Sequence, residues 1–432
     1  FFGRVNYNWR DMLFVSASIR REASTKFGMN SRWGNFPSAS IAWEMMEASF
    51  MDPAREVVKS LKPRFSFGVT GREPSSSYQS LATYSTKYQY FMDGEWVTGY
   101  APSNNANPLL SWEKSVSYNI GVDFDLWNRL RGSVEYYIRQ SPDLLYNYTA
   151  PQPPYVYNTI LVNVGTTTNR GVEVCLNADV IKKKNFTWNS GVNYSYGRTY
   201  LTKLSNDVYQ ASYLELYQKP GVGTSEYFFR VEEGGEVGQF YGYEFAGVDL
   251  DGNMYVYDNE GKEQLISNAD PTWKRYIGNG APKHTMRWSN SLSFHNFDVS
   301  ILFTGAFDFD IFNMRKYGMG LQGCGTDNVL KTAYTTDKMV RTGGGNISSY
   351  FLEDGSYFKL DNITAGYNWQ WKDKVVDGLR LYVAAKNIAT MTRYSGNDPS
   401  IVAVTGITPG VDVSSAYPTA TQLCLGVTLN LH

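Results

Sequence analysis

The chain has 432 residues, with 40 Lys and Arg against 41 Asp and Glu, a balance that excludes a field drawing it toward nucleic acid or an anionic surface. Its 33 Tyr, 23 Phe and 11 Trp beside 39 Gly suit strands, interfacial belts and turns better than helices. No window approaches the run of about 20 apolar residues that a spanning helix needs, and Cys175, Cys324 and Cys424 match no metal spacing, which leaves them as free thiols or small packing residues.

In chain order, apolar residues recur with period two over lengths that suit a membrane strand. A strand from about Gly3 to Arg10 opens the chain. From Trp112, one face carries Trp112, Val116, Tyr118, Ile120, Val122, Phe124 and Leu126, while Glu113, Ser117, Asn119 and Asp123 lie on the other. Leu130, Val134, Tyr136 and Ile138 repeat the pattern, as do Val172, Val174 and Leu176, then Phe186, Trp188, Val192 and Tyr194. Later come Phe297, Val299, Ile301 and Phe303, then Leu379, Leu381 and Val383, and finally Leu423, Leu425, Val427, Leu429 and Leu431, with His432 one residue beyond. Many of these runs reach about ten residues, where strands of soluble domains centre near five or six.

The connections are of two kinds. Short ones are expected at Trp9 to Met12, Leu126 to Arg129, Lys182 to Asn185 and His295 to Asn296. Long ones span about residues 23–35, 71–111, 140–170, 197–283, 308–356 and 389–420. Outer-membrane barrels alternate in this way, with turns in the periplasm and loops outside. The expected fold class is therefore all-β: a transmembrane antiparallel β-barrel, with residues 1–432 as its C-terminal part and residues 197–283 as one long extracellular loop region. The parity gives roughly thirteen strands ending inward, so the reading expects these to be the last strands of a roughly 22-stranded plugged barrel whose plug and first strands precede them.

Several segments resemble the SusC/RagA-like TonB-dependent transporters of Bacteroidetes. They are FFGRVNYNWRDMLFVSASIRREASTKFGMNSRWGNFPSASIAW from Phe1, SFGVTGREP from Ser66, SWEKSVSYNIGVDFDLWNRLRGSVEYYIRQSPDLL from Ser111 and NVGTTTNRGVEVCLNADVIKKKNFTWNSGVNYSY from Asn163. GEVGQFYGYEFAGV from Gly235, IGNGAPKHTMRWSNSLSFHNFDVSILFTGAFDFDIFN from Ile277 and YFLEDGSYFKLDNITAGY from Tyr350 continue the match in order. The resemblance implies an outer-membrane importer of oligosaccharides, or in some members peptides. It also implies energy delivered by the TonB complex and a SusD-like lipoprotein as an external lid. The TonB-contacting segment and the plug of that family have no counterpart in these residues.

No catalytic constellation assembles from His284, His295 and His432, and neither enzyme activity nor a metal or other cofactor is expected. Asp249, Asp251 and Asn253 suggest a calcium loop, but Gly252 stands at the fourth position rather than the sixth. A hairpin turn fits those residues better. The candidate substrate-binding residues are loop aromatics: Trp96, Tyr100, Tyr155, Tyr157 and Trp273, with Tyr227, Phe228 and Phe229 beside them. Their rings suit stacking on sugar faces, and equally suit packing the loops or touching a lid. A passive or structural outer-membrane barrel and a soluble β-sandwich adhesin remain as alternatives at this point.

Overall fold

A computed structural model describes residues 1–206, 210–218, 226–321, 328–335, 340–341, 345–370, 376–402, 406–413 and 417–431. Cys324 and His432 lie outside the described residues. Among the described residues, thirteen strands form one antiparallel sheet in simple chain order. They are β1 (Phe2–Trp9), β2 (Leu13–Ala23), β3 (Trp33–Trp43), β4 (Val58–Arg72), β5 (Glu113–Leu126), β6 (Leu130–Pro142), β7 (Thr166–Lys183), β8 (Phe186–Lys203), β9 (His284–Phe294), β10 (Phe297–Phe307), β11 (Tyr357–Gln370), β12 (Val376–Thr392) and β13 (Gln422–Leu431).

Local backbone chemistry explains the tight ends. Arg10 and Asp11, and again Trp127 and Asn128, take positive φ, the left-handed backbone that lets a short hairpin follow the twist of its strands. Asn8 steadies the first turn, since its Nδ2 donates to the Asp11 carboxylate at 2.6 Å and its Oδ1 accepts the Asp11 N–H at 3.0 Å. Residues 10–12, 127–129, 184–185 and 295–296 close hairpins at this turn end. The connection from β3 to β4 is longer than the other turns there, because Met45–Glu47 and Ser49–Ala54 form short 3-10 helices.

The opposite end carries the described residues of the connections 24–32, 73–112, 143–165, 204–283, 308–356 and 393–421. β8 runs on to Lys203, past the Gly197 boundary expected from sequence, because it stays paired with β7 as far as Thr166. At 18 residues each, β7 and β8 exceed the roughly 9 to 11 residues that cross a bilayer, and β8 continues to Lys203 beyond Tyr196, where its pairing with β9 ends at His284.

The two faces of the sheet differ as period two requires. Ile120, Val134 and Tyr136 are exposed on the outside, and so are Leu423, Leu425, Val427 and Leu429 on β13. The inner face holds charge. Arg64 Nε lies 3.2 Å from both carboxylate oxygens of Asp123, its guanidinium also pairs with Glu135, and Asn119 Nδ2 donates to Glu135 at 2.9 Å. Toward the turn end, Asp298 accepts from Arg380 Nη2 at 2.5 Å and from Asn368 Nδ2 at 2.6 Å. Trp112 departs from the expected row. It precedes β5 and is buried against Phe27 and Phe36, with its indole N–H donating to the Arg32 carbonyl at 3.1 Å.

At the loop end the connections fold together. Tyr213–Gln218, Tyr227–Glu232, Gln239–Gly242 and Arg275–Asn279 make a four-stranded sheet. Phe245–Val248, Met254–Tyr257 and Glu263–Leu265 make a three-stranded meander. Asp310–Asn313 pairs with Leu352–Asp354 and, in parallel, with Val411–Asp412. These pieces share one apolar core, in which Phe228, Phe240, Phe312, Phe351 and Val411 come from three different loops. Among the described residues no helix is long and apolar enough to cross a membrane, which says nothing of crossing by strands.

Candidate solute-handling site

The inner wall between β6 and β9 forms a recess of about 350 Å³, to which the charged and polar side chains of Glu135, Glu173, Asn193 and Arg287 contribute together with Cys175. The alternation that exposes Val174 outward necessarily aims Glu173 and Cys175 inward. Both signs of charge line this wall, so it suits a wet lumen rather than lipid contact. His284 belongs to the outer face: Tyr194 Oη and His284 Nδ1 lie 2.6 Å apart, and Tyr196 packs on the same imidazole. That cluster lies toward the loop end of β8 and β9, where an aromatic girdle meets the membrane interface.

The loop assembly is held by buried polar contacts that the sequence reading did not single out. Lys359 Nζ donates to Asp398 at 2.9 Å and to Ser400 Oγ at 3.0 Å, and Thr419 Oγ1 donates to the same carboxylate at 2.7 Å. The buried Tyr394 hydroxyl donates to Asp412, and burial with that neighbouring carboxylate pushes the phenol far up. Burial also pushes the Asp310 carboxyl up, with Asp354 and Asp308 adding to it, although the Asn279 N–H opposes the shift.

Asp249 forms a turn rather than an open ligand set. Its carboxylate accepts from Asp251 N at 3.0 Å, Asn253 N at 2.8 Å and Asn253 Nδ2 at 2.9 Å, and Asn253 above all holds it below the usual carboxylate range. The next turn repeats the device. Asp258 accepts from Glu260 N and Lys262 N, both at 2.9 Å, with Gly261 at positive φ as Gly252 is in the first. The recurrence of Asp, two residues, then Gly was the available signal for the second turn.

The candidate aromatics divide sharply. Trp96 and Tyr100 are exposed on a hairpin formed by Tyr84–Met92 and Glu95–Pro102. Tyr155 packs against a small core containing Ile160 and Val162. Tyr157 donates its hydroxyl to the Pro102 carbonyl at 2.7 Å, tying two loops together. Trp273 packs against the main loop core, and Phe228 and Phe229 are fully buried in it. Tyr227 sits beside them on the same strand, half-buried. Phe228 and Phe229 therefore pack the loop core, while Trp273 stands half-buried at its edge.

Residues 1–215 match the family described as TonB dependent receptor-like, beta-barrel. TonB-dependent receptor P3 of Formosa agariphila is 31% identical over 424 residues, covering 92% of this chain and 41% of that protein. The chain belongs to the SusC/RagA-like TonB-dependent receptors. TonB-dependent receptor SusC of Bacteroides thetaiotaomicron is 27% identical over 448 residues, covering 99% of this chain and 43% of its own length. The structure of the RagAB peptide transporter superposes with a TM-score of 0.82 at 25% identity, over 99% of this chain and 47% of that one. The chain thus spans less than half the length of these relatives. As members of this family are, it is an outer-membrane β-barrel protein.

Proposed function

We propose that this chain supplies much of the wall and outer loops of a TonB-energised importer of oligomeric nutrients, with the long-loop end outside the cell. The observation that carries this reading is architectural. Three long loops pack one core at one end of a sheet whose inner face is lined with ion pairs. A passive pore needs an unobstructed mouth, whereas a folded loop assembly over a polar wall suits a receptor that captures solute before admitting it. Membership of the TonB-dependent receptor family supports energised transport by the whole protein. A SusD-like lipoprotein is the proposed lid over these loops, and no catalytic role is proposed.

Two cargo classes fit. Oligosaccharides, the class that the resemblance implies, would stack on the exposed rings of Trp96 and Tyr100. Oligopeptides are the second reading, supported by the likeness to the RagAB peptide transporter. Cells producing the full-length protein should accumulate a fluorescent glycan or peptide only when TonB is present. Equal uptake with and without TonB would replace the importer by a passive channel.

A further inference from the structure

A second cavity lies at the loop end of the β7–β8 hairpin, with a volume of about 240 Å³. Its floor is aliphatic. Leu201 and Leu204 at the end of β8 face Val231 and Val237 from the loop of residues 204–283, and all four are buried. Leu144 and Val164 close one side, brought together where the Leu144 N–H donates to the Gly165 carbonyl at 3.2 Å and the Val164 N–H donates to Leu144 at 2.9 Å. Ile407 reaches in from the loop of residues 393–421.

The polar groups stand together. Arg72 and Glu113, from the loop ends of β4 and β5, are 3.9 Å apart, and the Glu113 carboxylate accepts the Leu145 N–H at 2.9 Å. Thr167 and Thr199 add hydroxyls, and Thr199 Oγ1 accepts from Asn169 Nδ2 at 2.7 Å. The arrangement is an aliphatic pit with charge and hydroxyls among its lining.

An aliphatic cavity of about 150 Å³ stays dry and takes up benzene. This one is larger, so it has room for one aromatic ring or branched aliphatic group. A sugar is a poor occupant, because its hydroxyls would be buried against Leu and Val without partners. The lining holds one aromatic residue, Tyr146, against ten Leu, Val and Ile, so its surface is mainly aliphatic rather than the aromatic platform that a sugar prefers. A peptide separates the two demands: its side chain is apolar, and its backbone amides need donors and acceptors of the kind Arg72, Glu113 and the threonines provide.

We infer that this cavity binds one apolar side chain of an oligopeptide cargo, an assignment that rests on the importer reading and selects among its cargoes. The cavity confers preference for peptides carrying Phe or Leu over otherwise identical peptides carrying Ser.

The test uses the full-length protein in lipid nanodiscs and titration calorimetry with two heptapeptides that differ only in a central Phe or Ser. Burial of the ring predicts that the Phe peptide binds about tenfold to a hundredfold more tightly. Leu144→Trp, which fills the pit, should bring the two affinities together. Leu214 also lines the cavity, and Leu214→Ser, which makes that lining more polar, should narrow the gap if the first variant fails to fold. Equal affinities in the unmodified protein would overturn the subsite, as would a Phe preference that survives in a folded Leu144→Trp protein. Binding of a neutral oligosaccharide with no binding of either peptide would overturn the cargo class. TonB-dependent uptake, measured separately in cells producing the full-length protein, separates each of these failures from failure of the importer reading.

Discussion

Lys359 and Asp398 pair with only 6% and 4% of their side chains exposed, so each has lost most of its hydration. Desolvation costs several kcal/mol per ion, and it is offset here by the hydrogen bonds from Ser400 and Thr419 as well as by the pairing itself. Lys359→Met should therefore destabilise the loop assembly by about 3 to 5 kcal/mol, because it leaves a buried carboxylate unpaired. Lys359→Met combined with Asp398→Leu should recover much of that loss. Melting and protease sensitivity of residues 393–421 would register both effects, and no change in the single variant would refute a buried pair. Acid should act on the same loops. Burial pushes Asp398 up, but hydrogen bonds from Ser400, Lys359 and Thr419 outweigh it and leave the carboxyl below its usual range, where Asp249 and Asp258 also lie. Lowered carboxyls stabilise fully above their unfolded value near about pH 4 and lose that contribution as pH falls through the folded value. Asp310, raised by burial, has the opposite sign, and favours the folded form at low pH. Hydrogen-exchange protection at residues 249–253 and 258–262 should thus fall as pH drops below about 4 and through the lower folded values, while the Asn279 amide held by Asp310 keeps its protection.

At the scale of the strands, outward and inward positions should respond differently to the same substitution. Val122 pairs across the sheet with Val134, and Val299 pairs with Leu292 and Ala365, all in the outward rows. Arg at Val122 or Val299 should destabilise the barrel by roughly 2 to 4 kcal/mol near the bilayer midplane. Arg at Asn193 should be tolerated, because Glu135 and Glu173 share the inner recess with it and offset Arg287 on the facing strand. Asn119 is a different case although it shares the inner face, because it already donates to Glu135 beside Arg64, and a second guanidinium there would repel the first. Heat-modifiable migration in gels would rank the four proteins, and equal loss at Val122 and Asn193 would reverse the assigned faces. Strict alternation also breaks at bulges. The register shift around Asp361 puts Lys359 and Asn362 on the same face, opposite Thr304 and Leu302, which a reading with uniform period two places on opposite faces.

For the whole molecule, the orientation proposed from the two kinds of connection is open to a direct check. Lys183 adjoins the two-residue turn between β7 and β8, whereas Gly261 lies at the tip of a loop turn with open space around it. A tag at Gly261 should react with an impermeant reagent on intact cells, and a tag at Lys183 should react only after the outer membrane is opened. Labelling of Lys183 alone would invert the proposed orientation.

Strand existence, strand face and the unequal ends were legible because each is set by a few neighbouring residues. The period of two in Val116 to Leu126 fixes which side chains share a face wherever that strand pairs, and Asn8 and Asp11 fix their turn locally. The quoted segments from Phe1 to Tyr350 carried the family for a similar reason, since they span consecutive strands. The fate of the loop aromatics was not legible. Phe228 and Trp96 both sit in long connections rich in aromatic residues, yet one is fully buried and the other exposed. What separates them is contact between distant segments. Phe228 meets Phe312 at a ring separation of 4.8 Å, and Phe245 meets Tyr350 at 5.0 Å, across more than 80 residues of chain in each case. The Lys359–Asp398 pair and the aliphatic cavity arise in the same way, from strand ends and loops that meet only once the sheet has formed. Local periodicity specified the wall, and burial of one loop by another, which no single segment encodes, decided what stands above it.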